Sequence, residues 1–203
     1  MLFPLNFKAM ACDLTRGRLV DCKDVLGGLK RVFLFLDYSD NVRGSATIAD
    51  DVMTAGGFSS WSGTATCFQY DLRPDLSSLT VNVNSDPATG TTSYEQVLEL
   101  TLQKLTSADN KELRLLAYQR PQIAVLDNND NVFFLGIDEG MNVTGGTVVT
   151  GAARTDMSGY TLTLTGREKE SMIWLAATAG QGTAKYPFDG LSDEADLTIT
   201  VGS

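Results

Sequence analysis

The segment 122–166 leaves little room for anything except consecutive β-strands. Residues 123–126 and 132–137 are two short apolar runs, and the five residues between them are all Asp or Asn. Asp and Asn favour turns because they tolerate positive φ and their side chains bond to their own backbone. The pattern predicts a β-hairpin whose turn is residues 127–131.

A second strand pair follows the hairpin. Residues 142–150 and 159–165 are strand-like, and the later run alternates strictly between apolar and polar side chains. A sheet of this kind buries one face and leaves the other for water or a partner. The same periodicity predicts further strands, with the first of them buried on both faces. These strands are 31–37, 64–70, 79–83, 91–104 and 197–201.

One helix is predicted at 107–119. Thr106 is a suitable N-cap, and Asp109 three residues later completes a variant of the capping box. Leu113, Leu116 and Ala117 lie on one face that can pack on a sheet. The period of residues 169–177, anchored by Trp174, fits either a short helix or a strand. The fold class is therefore mainly β, in one domain spanning 1–203.

Three segments fall outside this periodic pattern. Residues 1–30 are expected to form an N-terminal arm, and 178–203 a C-terminal extension. Residues 39–63 form a loop or a long polar hairpin, because few segments of that length lack structure in a compact domain. Phe58 and Trp61 in that segment either tuck into the core or anchor an interface.

The composition excludes several classes of protein. The chain carries 25 acidic and 16 basic residues, a net charge of −9, and has no histidine. A basic nucleic-acid surface is therefore not expected, and His-based catalysis or zinc ligation is excluded. We expect no enzymatic activity, no metal and no cofactor.

Two acidic patterns favour structural interpretations. The turn 127–131 resembles a calcium loop but lacks the required Gly at position 6 and Glu at position 12, where Asp138 stands. A hairpin turn is the better interpretation. The pairs 138–139 and 168/170 are interpreted as solvated charge, because no aromatic-lined cleft is evident for glycosidase carboxylates.

The cysteines and the N-terminus indicate the compartment. The chain has an odd number of cysteines, Cys12, Cys22 and Cys67, and their spacing matches no zinc site. Buried free thiols in a reducing compartment are therefore expected. A bridge between Cys12 and Cys22 is the alternative. The apolar start of the chain is too short for a signal peptide, and no run reaches the length of a membrane span. Synthesis in the cytoplasm follows.

Taken together, the strands, the helix and the hairpin of residues 64–177 resemble phage virion proteins of the tail-tube kind. The segment 22–30 before the first strand also resembles the openings of structural proteins in crAss-like phages. The resemblance implies a β-sandwich or β-barrel of tail-tube type with one flanking α-helix and a long hairpin or loop arm. It implies a virion location after synthesis in the host cytoplasm.

The implied function is a tail tube or tail ring subunit that oligomerises into a channel for DNA passage. Its partners would be further copies of itself, other virion tail proteins, and DNA that passes without specific binding. We expect two sets of residues to matter. The assembly set is Phe58, Trp61, Asp127, Asn128, Asn129 and Asp130, and the lumen charges are Asp50, Asp51, Asp138 and Glu139. The alternative is a monomeric β-sandwich module of a virion that binds carbohydrate or protein.

Overall fold

Two β-sheets and one helix make up the described part of the chain. The computed structural model describes residues 17–18, 25–35, 48–53, 65–175, 186–189 and 197–202. Strands are numbered in chain order. The larger sheet contains β1 (Leu29–Phe35), β2 (Ile48–Ala49), β3 (Val52–Met53), β4 (Ala65–Asp71), β7 (Gln122–Asp127), β8 (Val132–Leu135), β11 (Ile173–Leu175) and β12 (Leu197–Val201). The smaller sheet contains β5 (Ser78–Asp86), β6 (Thr91–Gln103), β9 (Asn142–Val149) and β10 (Gly159–Glu168).

The strand order explains how the two sheets are connected. The larger sheet has the order β12-β4-β1-β7-β8-β11-β3-β2, and the smaller one β5-β6-β10-β9. Most neighbours are antiparallel, but β12 runs parallel to β4 and β11 runs parallel to β3. The chain crosses between the sheets four times, namely between β4 and β5, between β6 and β7, between β8 and β9, and between β10 and β11. The result is the predicted β-sandwich with one helix on its flank.

The first core lies on one face of the larger sheet and is rich in phenylalanine. The ring of Phe188 packs edge-on against Phe33 and Phe35, with ring centroids 5.1 and 5.8 Å apart. Phe134 lies 6.2 Å from the same ring. Aromatic rings prefer such edge-to-face and tilted arrangements. Phe188 thus links the centre of the sheet to the short described segment 186–189.

The second core lies between the sheets and beside the helix. Val32 and Val125 of the larger sheet meet Leu98 and Leu164 of the smaller one, and all four are fully buried. Strands β1 and β7 therefore have core on both faces. This confirms the expectation for the first strand. The expected sheet with one buried face and one exposed face is found in the smaller sheet. The expectation is wrong for residues 123–126, because they form β7, a central strand of the larger sheet with core on both faces.

Helix α1 (Ser107–Leu116) begins as predicted. The Thr106 hydroxyl accepts a hydrogen bond from the backbone N–H of Asp109 at 3.0 Å, and it donates to the Asp109 carboxylate at 2.6 Å. Leu113 and Leu116 are buried. Ala117 is exposed, contrary to the prediction, because it is the C-cap residue where the helix ends. The ambiguous segment around Trp174 is the strand β11.

Replacing Phe33 by Ala should lower the free energy of unfolding by about 3–5 kcal/mol, because it leaves a cavity among three aromatic rings at a fully buried position. Chemical denaturation measures this change. Tyr118→Ala, at an exposed position after α1, is the matched control and should change stability by less than about 0.5 kcal/mol. Equal effects of the two substitutions would contradict the aromatic core described above.

Candidate assembly surfaces

The two outer strands of the smaller sheet are its most accessible backbone. Within the described residues, no strand pairs with the outer edge of β5 or of β9. Strand β9 has the sequence NVTGGTVV and carries no charge and no proline. Natural proteins usually protect such edges with charged residues or proline because an unprotected edge pairs readily with another chain. The β9 edge is therefore a natural place for strand addition.

The outward face of the smaller sheet is flat and polar. Thr161, Thr163 and Thr165 of β10 point to this face, and the hydroxyl of Thr161 pairs with that of Thr147 on β9 at 2.6 Å. The Thr165 hydroxyl pairs with that of Thr144 at 2.9 Å. These cross-strand pairs hold the threonine side chains in a regular array. The charged side chains on this face are Asp86, Glu95, Glu99 and Arg167, and Arg167 pairs with Glu95 at 3.1 Å.

The inward face of the same sheet is incompletely covered at both edges. Val83 on β5 is 63% exposed, and Val148 on β9 is 62% exposed. Beside β9, a groove of about 360 Å³ runs between the strand and α1. The apolar part of its lining is Leu113, Val143, Val148, Tyr160 and Leu162. Sequence patterning did not single out these positions, because valines in alternating strands indicate core regardless of their place at an edge.

The predicted turn 127–131 is present, and Asp127 organises it. One carboxylate oxygen of Asp127 accepts from the backbone N–H groups of Asn129 and Asn131 at 2.8 and 2.7 Å. The other accepts from the side-chain amides of the same two residues at 3.2 and 2.9 Å. The hairpin interpretation is confirmed. The carboxylate that would have to bind calcium is fully occupied within the turn.

The same turn also binds the chain that precedes β1. The Asn129 side chain accepts from the Leu26 N–H at 2.9 Å and donates to the Leu26 carbonyl at 2.8 Å. Asn128 donates to the Gly27 carbonyl at 2.6 Å, and Asp130 pairs with Lys30 at 2.7 Å. These four turn residues, predicted as assembly contacts, make intramolecular contacts here. Their role in assembly stays a prediction.

The remaining predicted residues lie in three places. Phe58 and Trp61 fall outside the described residues. Asp50 and Asp51 form the exposed turn between β2 and β3, at positive φ, and the Asp51 carbonyl accepts from the Trp174 N–H at 2.9 Å. Thus the described part of the predicted arm, residues 48–53, joins the larger sheet.

Asp138 and Glu139 lie on the β8–β9 connection, beside a buried carboxylate. Glu168 is only 4% exposed, and one of its oxygens accepts from the Glu139 N–H at 3.0 Å, while the other has no hydrogen-bond partner among the described residues. Burial raises the pKa of Glu168, and the charges of Asp138 and Glu139 raise it further, although backbone N–H donors act in the opposite direction. The prediction that residue 168 is solvated is therefore wrong: it faces inward because Gly166 and Glu168 alternate with the outward Arg167.

The described residues offer no metal-binding group of three or more acidic, Cys or His side chains. Cys67 is a buried free thiol, as expected, and burial raises its pKa to about 12. Cys12 and Cys22 lie outside the described residues. Within the described structure, no helix has the length and apolar character needed to cross a membrane.

Comparison with known proteins does not assign this chain to a family. No family model matches the sequence, and no curated protein matches it. A chain of a solved structure described as "Virion of native gene transfer agent (GTA) particle" is similar over 57% of this chain and 86% of its own length, at 8% identity and a TM-score of 0.33. Similarity at that level supports no conclusion about function.

Asn129→Ala should release the segment before β1, because it removes both hydrogen bonds to Leu26, each worth about 0.5–1.5 kcal/mol. The amide of Leu26 should then exchange with solvent several times faster, as measured by NMR. Asn84→Ala on β5 is the control and should leave that amide unchanged. Unaltered exchange in Asn129→Ala would show that the turn does not hold this segment.

Glu168→Gln should raise the melting temperature at neutral pH. Because its pKa is raised on folding, Glu168 contributes stability when protonated at low pH, and that contribution is lost as the pH rises through its folded pKa. The gain from the amide should therefore disappear below the ordinary Glu pKa of about 4.3. Scanning calorimetry from pH 3 to 8 tests this. Glu112→Gln, at an exposed position, is the control, and a pH-independent gain in Glu168→Gln would contradict the prediction.

Proposed function

We propose that this protein is a virion structural protein, a tail tube or tail ring subunit that self-assembles into a channel for DNA. It acts without enzymatic chemistry or a cofactor. The observation that carries the proposal is the smaller sheet, which has unpaired outer edges on both sides within the described residues. The accessible β9 edge carries no charge that would oppose strand addition.

The directions of the strands support closure into a ring. Each neighbouring pair in the order β5-β6-β10-β9 is antiparallel, so β5 and β9 run in opposite directions. Rotation of a copy about a common axis keeps its strand directions, and β9 of one copy then lies antiparallel to β5 of the next. Such a contact joins two different surfaces, and repeating it generates a closed ring when the rotation closes.

The stagger of the two edge strands supports a barrel wall. Asn82, at the centre of β5, lies opposite Glu95 of β6. Gly145, near the centre of β9, lies opposite Thr163 of β10, and Thr163 lies opposite Glu99 of β6. The edges are therefore offset by four residues (95 to 99), or about 14 Å, across a four-stranded width of about 19 Å. Full pairing at that offset tilts the strands by about 36°, within the usual range of about 35–45° for closed barrels.

The proposed ring orients the polar face toward DNA. The larger sheet and α1 cover the other face, so only the face with the threonine array is left to line a channel. On that face Arg167 pairs with Glu95, so Glu99 and Asp86 supply the net negative charge, which repels phosphate within a Debye length of about 8 Å. Asp138 and Glu139 lie on the connection between the sheets, whereas Asp50 and Asp51 belong to the outer layer of this arrangement.

The purified protein should form rings or tubes at high concentration and should not bind DNA. Analytical ultracentrifugation should detect species many times heavier than the monomer, and negative-stain electron microscopy should show a central channel. A gel-shift assay at physiological salt should show no retardation of duplex DNA. A strict monomer at high concentration, even in the presence of virions, would overturn the proposal and favour the monomeric binding module.

A further inference from the structure

We infer that a second copy of this chain fills the groove between α1 and β9, and that it does so with the valines of its own β5 edge. The inference rests on the proposed ring assembly and identifies the side chains that seal it. Val83 and Val148 lie on the same inward face of the smaller sheet, at opposite edges, with nearly equal exposures of 63% and 62%. Each is an apolar side chain on an edge strand, where the core between the two sheets stops.

The alternation of side chains brings these residues together when the strands pair. Directly opposite residues in an antiparallel pair point to the same face. Thr80 and Asn82 share the outward face of the sheet, as Gly145 and Thr147 do. When these outward positions align, the odd-numbered residues of β5 point inward over the groove. They are Leu79, Val81, Val83 and Ser85.

The wall of the groove that β9 forms carries few side chains. Gly145 and Gly146 both line it. At Gly146 a Cβ would meet the Thr161 carbonyl oxygen of β10 at 2.7 Å, so the close approach of the two strands requires glycine there. Burying two valines in this groove removes their apolar surface from water, which favours association.

Continuity of the apolar surface favours the same partner. Leu26, whose backbone the Asn129 side chain binds, shares a cavity with Leu79 and Val81 of β5. The inward side of the β5 edge therefore presents a continuous apolar patch, and it matches the apolar lining of the groove beside β9.

The test uses three lysine substitutions at valines of similar exposure. Val83→Lys alters the inserting edge, and Val148→Lys alters the groove. Val201→Lys on β12, which is 57% exposed in the other sheet, is the matched control. We expect the first two variants to be folded monomers by circular dichroism and sedimentation, and the control to assemble like the unaltered chain.

Mixing the two monomeric variants gives the decisive result. A Val83→Lys copy retains its groove, and a Val148→Lys copy retains its β5 edge, so the mixture should form a one-to-one dimer and nothing larger. A contact between two identical edges predicts instead that one variant dimerises by itself. The absence of a mixed dimer, or unimpaired assembly of either single variant, would overturn the inference.

The outcome also separates this inference from the proposed function. If the unaltered chain forms rings and both lysine variants still do so, the ring stands and the valine contact is wrong. If the unaltered chain stays monomeric and the mixture gives no dimer, both the proposed ring and the valine contact are wrong. If either variant fails to fold, Val83→Thr and Val148→Thr replace it, and they should weaken assembly at least tenfold while Val201→Thr does not.

Discussion

The pairing of β1 with β7 supports the rest of the structure. Both strands are apolar on both faces, so they fit only where core exists above and below them. One face collects the phenylalanines around Phe188. The other receives the smaller sheet and α1. Because residues 32–35 and 122–126 are buried, the surfaces that partners can reach include the sheet edges and the outward face of the smaller sheet.

Much of the fold was predictable from periodicity and turn chemistry. The turn 127–131 and the cap at Thr106 are local features, so the sequence alone specifies them. Which strands lie at an edge depends on long-range pairing, and no local pattern distinguishes Val83 from a core valine. Glu168 shows the same limit. Its charge indicates solvent, but its burial results from contact with the connection between β8 and β9.

The candidate assembly surfaces combine two kinds of contact. Backbone edges give orientation, because antiparallel pairing fixes strand direction and the face on which each side chain lies. In the proposed contact, side chains give register, because a shift of the pairing by one residue turns Val81 and Val83 to the other face. The acidic turn 127–131, which stood out in the sequence, has a different role in the described structure: it binds the chain that precedes β1 and so positions the apolar patch beside β5.

The connection between β8 and β9 has a mechanical consequence. Its six residues, 136–141, form one of four covalent connections between the two sheets, the others being 72–77, 104–121 and 169–172. Gln96 accepts a hydrogen bond from the Gly136 N–H at 2.8 Å, Gln122 donates to the Ile137 carbonyl at 2.8 Å, and the Met141 N–H donates to the Pro121 carbonyl at 2.9 Å. Tension on β9 is therefore transmitted to β8 through a short connection that these three hydrogen bonds hold in place. A load on the smaller sheet is therefore shared with the larger sheet, and the two sheets resist sliding past each other.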